Sequence, residues 1–172
     1  GIKSGLLAPV ACGSALLNMG VPQLMNLMVS CLPSPLERPA KKGLVPGGEE
    51  AIERAPSPDA PFSALVFKTV ADPFAGKLTT MRIFSGTLTP DTTVLNPNKD
   101  TKEKLGNLLQ IEGKKQQPVE AAVAGDIIAV AKLKETATGD TLCDTSDPIV
   151  YQPTDVIPAV ISYAVEAKVA GS

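Results

Sequence analysis

The stretch that most constrains the fold is GKLTTMRIFSGTLTPDTTVLNPNKD, Gly76 to Asp100. Met81 and Ile83 alternate with Thr80 and Arg82, the period of two of a strand with one buried face. Pro90 fixes φ for the first central position of a type I turn and Asp91 suits the second. Thr93, Val94 and Leu95 then resume β-favouring side chains until Asn96-Pro97-Asn98 breaks the run. The stretch therefore predicts one β-hairpin, with Gly86 where its first strand bends or bulges.

The rest of the chain supports an all-β body. Its 172 residues contain fourteen Gly and sixteen Pro, so turns are frequent. Apolar residues make up 44%, but only 3% is aromatic and Trp is absent, so aliphatic packing supplies the core. From Phe62 onward, segments of strand length alternate with turn signals. Strands are predicted near Phe62 to Val70, Lys77 to Ser85, Thr92 to Asn96, Glu103 to Ile111, Val119 to Ala121, Asp126 to Leu133, and Thr141-Leu142. Ile127, Ala129, Ala131 and Leu133 face one way and Ile128 and Val130 the other, so that strand reads as buried on both sides. Gly125-Asp126 and Gly139-Asp140 supply turns, and the whole predicts a closed or nearly closed antiparallel barrel.

The flanks read differently. A short apolar strand is predicted over Leu6 to Cys12, then a small-residue loop at Gly13, Ser14 and Ala15. A helix follows with Pro22 in its first turn. Its apolar stripe of Val21, Leu24, Met25, Met28, Cys31 and Leu32 needs a surface to lie on, and Pro33 and Pro35 end it. This is a short α/β remnant. Between 36 and 61 Pro and Gly crowd and the apolar period is lost, which predicts a linker, with room for a short strand at Leu44-Val45. After Pro148 a Pro-punctuated link leads to an alternating strand over Ala159 to Glu166.

Charge and reactive groups narrow the function classes. A net charge of −2 does not fit a free-standing nucleic-acid binder. Three widely spaced cysteines, Cys12, Cys31 and Cys143, suggest neither a disulfide framework nor a zinc site, and a reducing, cytoplasmic setting fits. The absence of histidine excludes serine-histidine and cysteine-histidine catalysis within the chain. No apolar run reaches the ~20 residues that span a bilayer, so no membrane is expected. Catalytic and metal-ligating residues are expected to be none.

Two nucleotide motifs fail on inspection. Gly76-Lys77 lacks the Gly five residues earlier and the Ser or Thr after the Lys, having Ala71 and Leu78 instead. Asn98-Lys99-Asp100 places its acid one residue early for an Asn-Lys-x-Asp guanine reader, where Thr101 stands. No Asp is followed by Gly three residues later, so the loop that senses a γ-phosphate through Mg²⁺ is also missing. A basic cluster remains: Lys99, Lys102, Lys104, Lys114 and Lys115 against Asp100, Glu103 and Glu112. It reads as a solvated face or as a patch for RNA.

The order of these parts resembles the elongation factor G family of translational GTPases. FKTVADPFAGKLTTMRIFSGTLTPDTTVLN, AGDIIAV and GDTLCD are similar to its domain II, PVACGSALLNMGVPQLMNLMVSCLPSP to the end of its GTPase domain, and VIPAVISYAVEAK to the opening of domain III. The resemblance implies a domain II type β-barrel at 62–150, the end of a GTPase domain at 1–35, a linker at 36–61, and a link with the start of domain III at 151–172. It implies that Gly13, Ser14 and Ala15 form the loop whose amides hold a guanine base, in an incomplete site. It also implies GTP and Mg²⁺ as cofactors of the full-length protein, with none in this segment. The implied partners are the ribosome, through small-subunit RNA and proteins, and the protein's own GTPase domain and domain III. Lys99, Lys102 and Lys104 are the candidates for RNA contact, since they follow a turn and can project together. Two features depart from the family: Ala131-Lys132-Leu133-Lys134 replaces the usual Gly-Leu-Lys, and IEGKKQQPVEAAVAGD lacks the His of typical members. These resemble an elongation factor G-like paralogue. The alternatives are a non-catalytic docking barrel, or a sister GTPase such as a ribosomal-protection protein or a class II release factor.

Overall fold

The computed structural model describes residues 1–72, 76–113, 115–153 and 160–165. Among them one α-helix, α1 at Val21–Cys31, precedes twelve short strands. The strands are β1 Lys41–Leu44, β2 Ala51–Arg54, β3 Ser63–Asp72, β4 Gly76–Ser85, β5 Thr87–Leu88 and β6 Thr93–Asn96, then β7 Thr101–Lys104, β8 Leu108–Glu112, β9 Lys115–Val119, β10 Ala122–Val123, β11 Ile127–Ala131 and β12 Thr141–Cys143. Eight of them form one sheet in the order β7-β6-β12-β3-β4-β11-β8-β9, and β1–β2 and β5–β10 are separate pairs.

The fold is mainly β and antiparallel, as expected, and its core is that of a curled sheet. Ala64 and Val66 of β3, Met81 and Ile83 of β4, Val94 of β6, Leu108 of β8, Val130 of β11 and Leu142 of β12 are buried in a single cluster. Arg82, between Met81 and Ile83, is exposed, so the period of two in β4 is real. Hydrogen bonding, however, does not close the barrel: β7 and β9 remain edges. Their residues suit that position. Pro118 in β9 has no N–H to offer, and Lys102 and Lys104 of β7 discourage a further strand. In β11 burial on both faces holds only for the centre, Ile128 to Val130, while Ile127 is exposed.

The predicted hairpin across Gly76 to Asp100 does not form. β4 pairs with β3 and β11, β6 pairs with β7 and β12, and two strands separate β4 from β6 in the sheet. Gly86 is the cause. Its φ of +78° bends the chain sharply after β4, and β5 then leaves to pair with β10. The turn type also differs: Asp91 has φ +62°, the left-handed region, where a type I turn needs a negative value. Asp tolerates that region better than most residues.

Other boundaries move as well. The strand predicted over Glu103 to Ile111 is two, β7 and β8, broken at Leu105-Gly106-Asn107. The strand predicted at Val119 to Ala121 is the junction of β9 and β10. Leu6 to Cys12 is irregular rather than a strand, so the N-terminal part has a helix and no strand before it. Of the strand predicted over Ala159 to Glu166, residues 160–165 are irregular and the two end residues lie outside the described residues.

A second, smaller cluster covers the outer face of the sheet. Leu65, Cys143, Ile149 and Tyr151 are buried there, with Ile52, Phe84 and Leu95 packed against them. The stretch expected as a linker contributes to it through the β1–β2 hairpin, whose Leu44 exchanges backbone hydrogen bonds with Val150 at 2.8 and 2.9 Å. Gly43 permits this approach, because a Cβ there would lie 2.6 Å from Ile149 Cγ1. The Tyr151 hydroxyl shares a hydrogen bond of 2.6 Å with Ser63, which in turn shares one of 2.5 Å with Ser85. Helix α1, by contrast, buries no residue, and Leu24, Met25 and Met28 of its apolar stripe are exposed.

Candidate functional site

Strand β7 has two faces of opposite character. Lys102 and Lys104 are exposed, while Glu103 between them is buried. Glu103 Oε1 accepts the backbone N–H of Thr136 at 2.7 Å and its hydroxyl at 2.5 Å, and Oε2 accepts the N–H of Lys134 at 2.7 Å. Burial alone would raise its pKa, but the Thr136 hydroxyl and the amides of Lys134, Thr136 and Glu135 outweigh burial and hold it below the usual value. The carboxylate thus stays charged and fastens the loop between β11 and β12 to the edge strand.

Three further groups complete this anchorage. Asn96 Nδ2 donates to Asp140 Oδ2 at 2.9 Å, and the same oxygen accepts the Ala137 N–H at 2.8 Å. Lys77 Nζ donates to the Thr136 carbonyl at 2.6 Å. Asn98 Oδ1 accepts the N–H of Thr141 at 2.8 Å. The loop carries Lys132 and Lys134, both exposed, on its outside. The φ of Lys132 is +65°, a conformation that glycine adopts at no steric cost.

The three lysines put forward for RNA contact are not equivalent. Lys102 and Lys104 share one face of β7, and Lys104 also pairs with Asp91 at 3.0 Å. Lys99 turns to the anchored loop instead: its Nζ lies 3.2 Å from Asp140 Oδ2 and donates to the Glu135 carbonyl. The structure therefore brings two of the three together. Sequence reading counted Glu103 only as an acid within a basic cluster. Its parity with the buried Leu105, two residues on, was the available signal that it points inward.

Gly13, Ser14 and Ala15 form a tight loop before α1. Ser14 and Met19 exchange backbone hydrogen bonds at 2.9 and 3.0 Å, and the Ser14 hydroxyl accepts the Leu17 N–H at 3.3 Å. With Met19, Gly20 and Leu24 these residues line a cavity of about 250 Å³. It offers backbone groups, the Ser14 hydroxyl and apolar side chains that include Met19 and Leu24, with no titratable group but the exposed Cys12 thiol. Such a lining can hold a flat polar ring by its edge but has no means of acid-base chemistry. Among the described residues, no cluster of His, Cys, Asp and Glu could hold a metal ion. No helix among them is long and apolar enough to cross a membrane.

Comparison with known proteins agrees with this architecture. Residues 61–145 match the family described as elongation factor G domain 2. Among solved structures, the chain is similar to a protein from Thermus thermophilus, with 31% sequence identity and a TM-score of 0.62. That alignment covers 84% of this chain and 19% of the Thermus protein. The chain thus spans about a fifth of the length of that relative. The matched residues run from Pro61, before β3, to Thr145, after β12, and so take in the whole eight-stranded sheet. The chain belongs to the elongation factor G family, with residues 61–145 as its domain 2.

Proposed function

We propose that the chain is the part of a ribosome-associated GTPase that couples the GTPase domain to the small ribosomal subunit, in a protein that promotes GTP-dependent translocation during protein synthesis. The domain 2 match over the whole sheet is the observation that carries this reading. Residues 1–35 end the GTPase domain, 36–61 join it to the barrel at 62–150, and 151–172 lead into domain III. The exposed apolar stripe of α1 then packs within the GTPase domain. Gly13, Ser14 and Ala15 hold the guanine base through backbone amides, with the phosphate and Mg²⁺ part of the site elsewhere in the full-length protein. Lys102 and Lys104 meet ribosomal RNA from the outer face of β7, while Glu103 sets that face against the loop behind it. The protein works in the cytoplasm.

A reconstituted translocation assay with the full-length protein tests this. The expected result is GTP-dependent movement of the message by one codon. Ribosome binding without movement would assign the protein to another ribosomal step.

A further inference from the structure

A second basic site lies away from β7. Arg38, Lys41, Arg54 and Arg82 line a cleft of about 240 Å³ between the β1–β2 hairpin and β4, with Phe84 at its base. Lys41 Nζ is 5.1 Å and the Arg82 guanidinium carbon 5.8 Å from the Phe84 ring centroid, so the ring holds two cations in place. Among the described residues no carboxylate is within ion-pair distance of Arg38, Lys41 or Arg82. Arg54 is paired, with Asp147 Oδ1 at 2.5 Å and the Asp147 carbonyl at 3.0 Å. Its Nε is nevertheless buried with no acceptor among the described residues. One wall is fixed by close contact: Gly125 has φ +104°, and a Cβ there would overlap the Pro35 ring.

We propose that this cleft seats a backbone phosphate of RNA. Cations approaching from the 35–41 segment, from β2 and from β4 suit a tetrahedral anion with several oxygens, and guanidinium groups bind such oxygens in pairs. The lining consists of Pro, Arg, Ala, Lys, Ile, Phe and Gly and so has no side-chain hydrogen-bond acceptor. The lining thus offers no side-chain acceptor to the amino group of a base, and the Phe84 ring already faces the two cations and the Tyr151 ring at 5.1 Å. A contact that positions a strand without reading its sequence fits this chemistry. The choice of RNA as the source of the phosphate rests on the ribosomal reading above.

The test uses the 172-residue chain and a fluorescent single-stranded RNA of about 12 nucleotides. The double variant Arg38→Gln with Arg82→Gln is expected to weaken binding about tenfold and to reduce the slope of log K against log salt by about 0.7, the value for one phosphate contact on a single strand. Arg38→Gln alone, at an exposed side chain, repeats the effect at about half size if the double variant is unstable. Inorganic phosphate is expected to shift the amide resonances of Arg82 and Gly125. Unchanged affinity and slope in the variants would overturn the proposal, as would tighter binding of GTP than of the RNA. Displacement of the RNA by polyglutamate at equal charge concentration would show an acidic-peptide site instead. RNA bound in the cleft, with the full-length protein failing to associate with ribosomes, would leave the cleft standing and sink the ribosomal reading.

Discussion

Glu103 and Thr136 are joined twice, through the backbone N–H of Thr136 at 2.7 Å and its hydroxyl at 2.5 Å, both to the same carboxylate oxygen. An edge strand is thereby tied to a loop 33 residues away in sequence. Glu103→Ala leaves three donors without their acceptor, and is expected to lower stability by about 2–4 kcal/mol in urea denaturation. A loss below about 1 kcal/mol would mean that Asn96, Asp140, Lys77 and Asn98 hold the loop without it.

The same carboxylate has a pH signature. Its folded-state pKa lies below the usual 4.5, so its stabilisation is fully present above that value and is lost as pH falls through the folded-state pKa. Asp144, held below its usual 3.8 by the Ser146 amide and hydroxyl, acts in the same direction. Wild-type stability should therefore fall below pH 4.5, and Glu103→Gln should make that fall shallower. Parallel curves for the two proteins would contradict the assignment.

Two left-handed positions predict opposite effects. At Gly86, φ is +78° and a Cβ would lie 2.6 Å from Phe62 Cα and 2.8 Å from the Ala60 carbonyl oxygen. Gly86→Ala is expected to cost about 2–4 kcal/mol, from backbone strain and overlap together. At Lys132, φ is +65° and the side chain is exposed, so Lys132→Gly relieves strain at some cost in chain entropy. A gain of roughly 0.5–1 kcal/mol is expected. Thermal melts of the two variants should move in opposite directions.

How much of this was legible in the sequence differs by level. The phase of β4 was readable because Met81, Arg82 and Ile83 alternate, and α1 because Pro22 and Pro33 bracket it. Pairing was not. A local period of two fixes which face is buried but not which strand lies alongside, so β6 was assigned to β4 when it belongs beside β12. The β1–β2 hairpin was unreadable for a related reason. Half of its strand residues are charged, and its Ile52 packs on a cluster completed by Ile149 and Tyr151, far along the chain. At the site, Lys102 and Lys104 stood out by charge, whereas Glu103 needed the strand phase before its inward direction could be seen.

Lys102 and Lys104 supply a charge test. Lys102→Gln with Lys104→Gln is expected to leave the melting temperature within about 2 °C of wild type, since both side chains are exposed. Ribosome association of the full-length protein should weaken several-fold, with a smaller salt dependence. Unchanged association would remove the outer face of β7 from the contact.

The most direct test of the account is co-sedimentation of the full-length protein with ribosomes, comparing a non-hydrolysable GTP analogue with GDP. Strong association with the analogue and weak association with GDP is the predicted result. Equal or absent association with both nucleotides would contradict the assignment of this barrel to a ribosome-coupled GTPase.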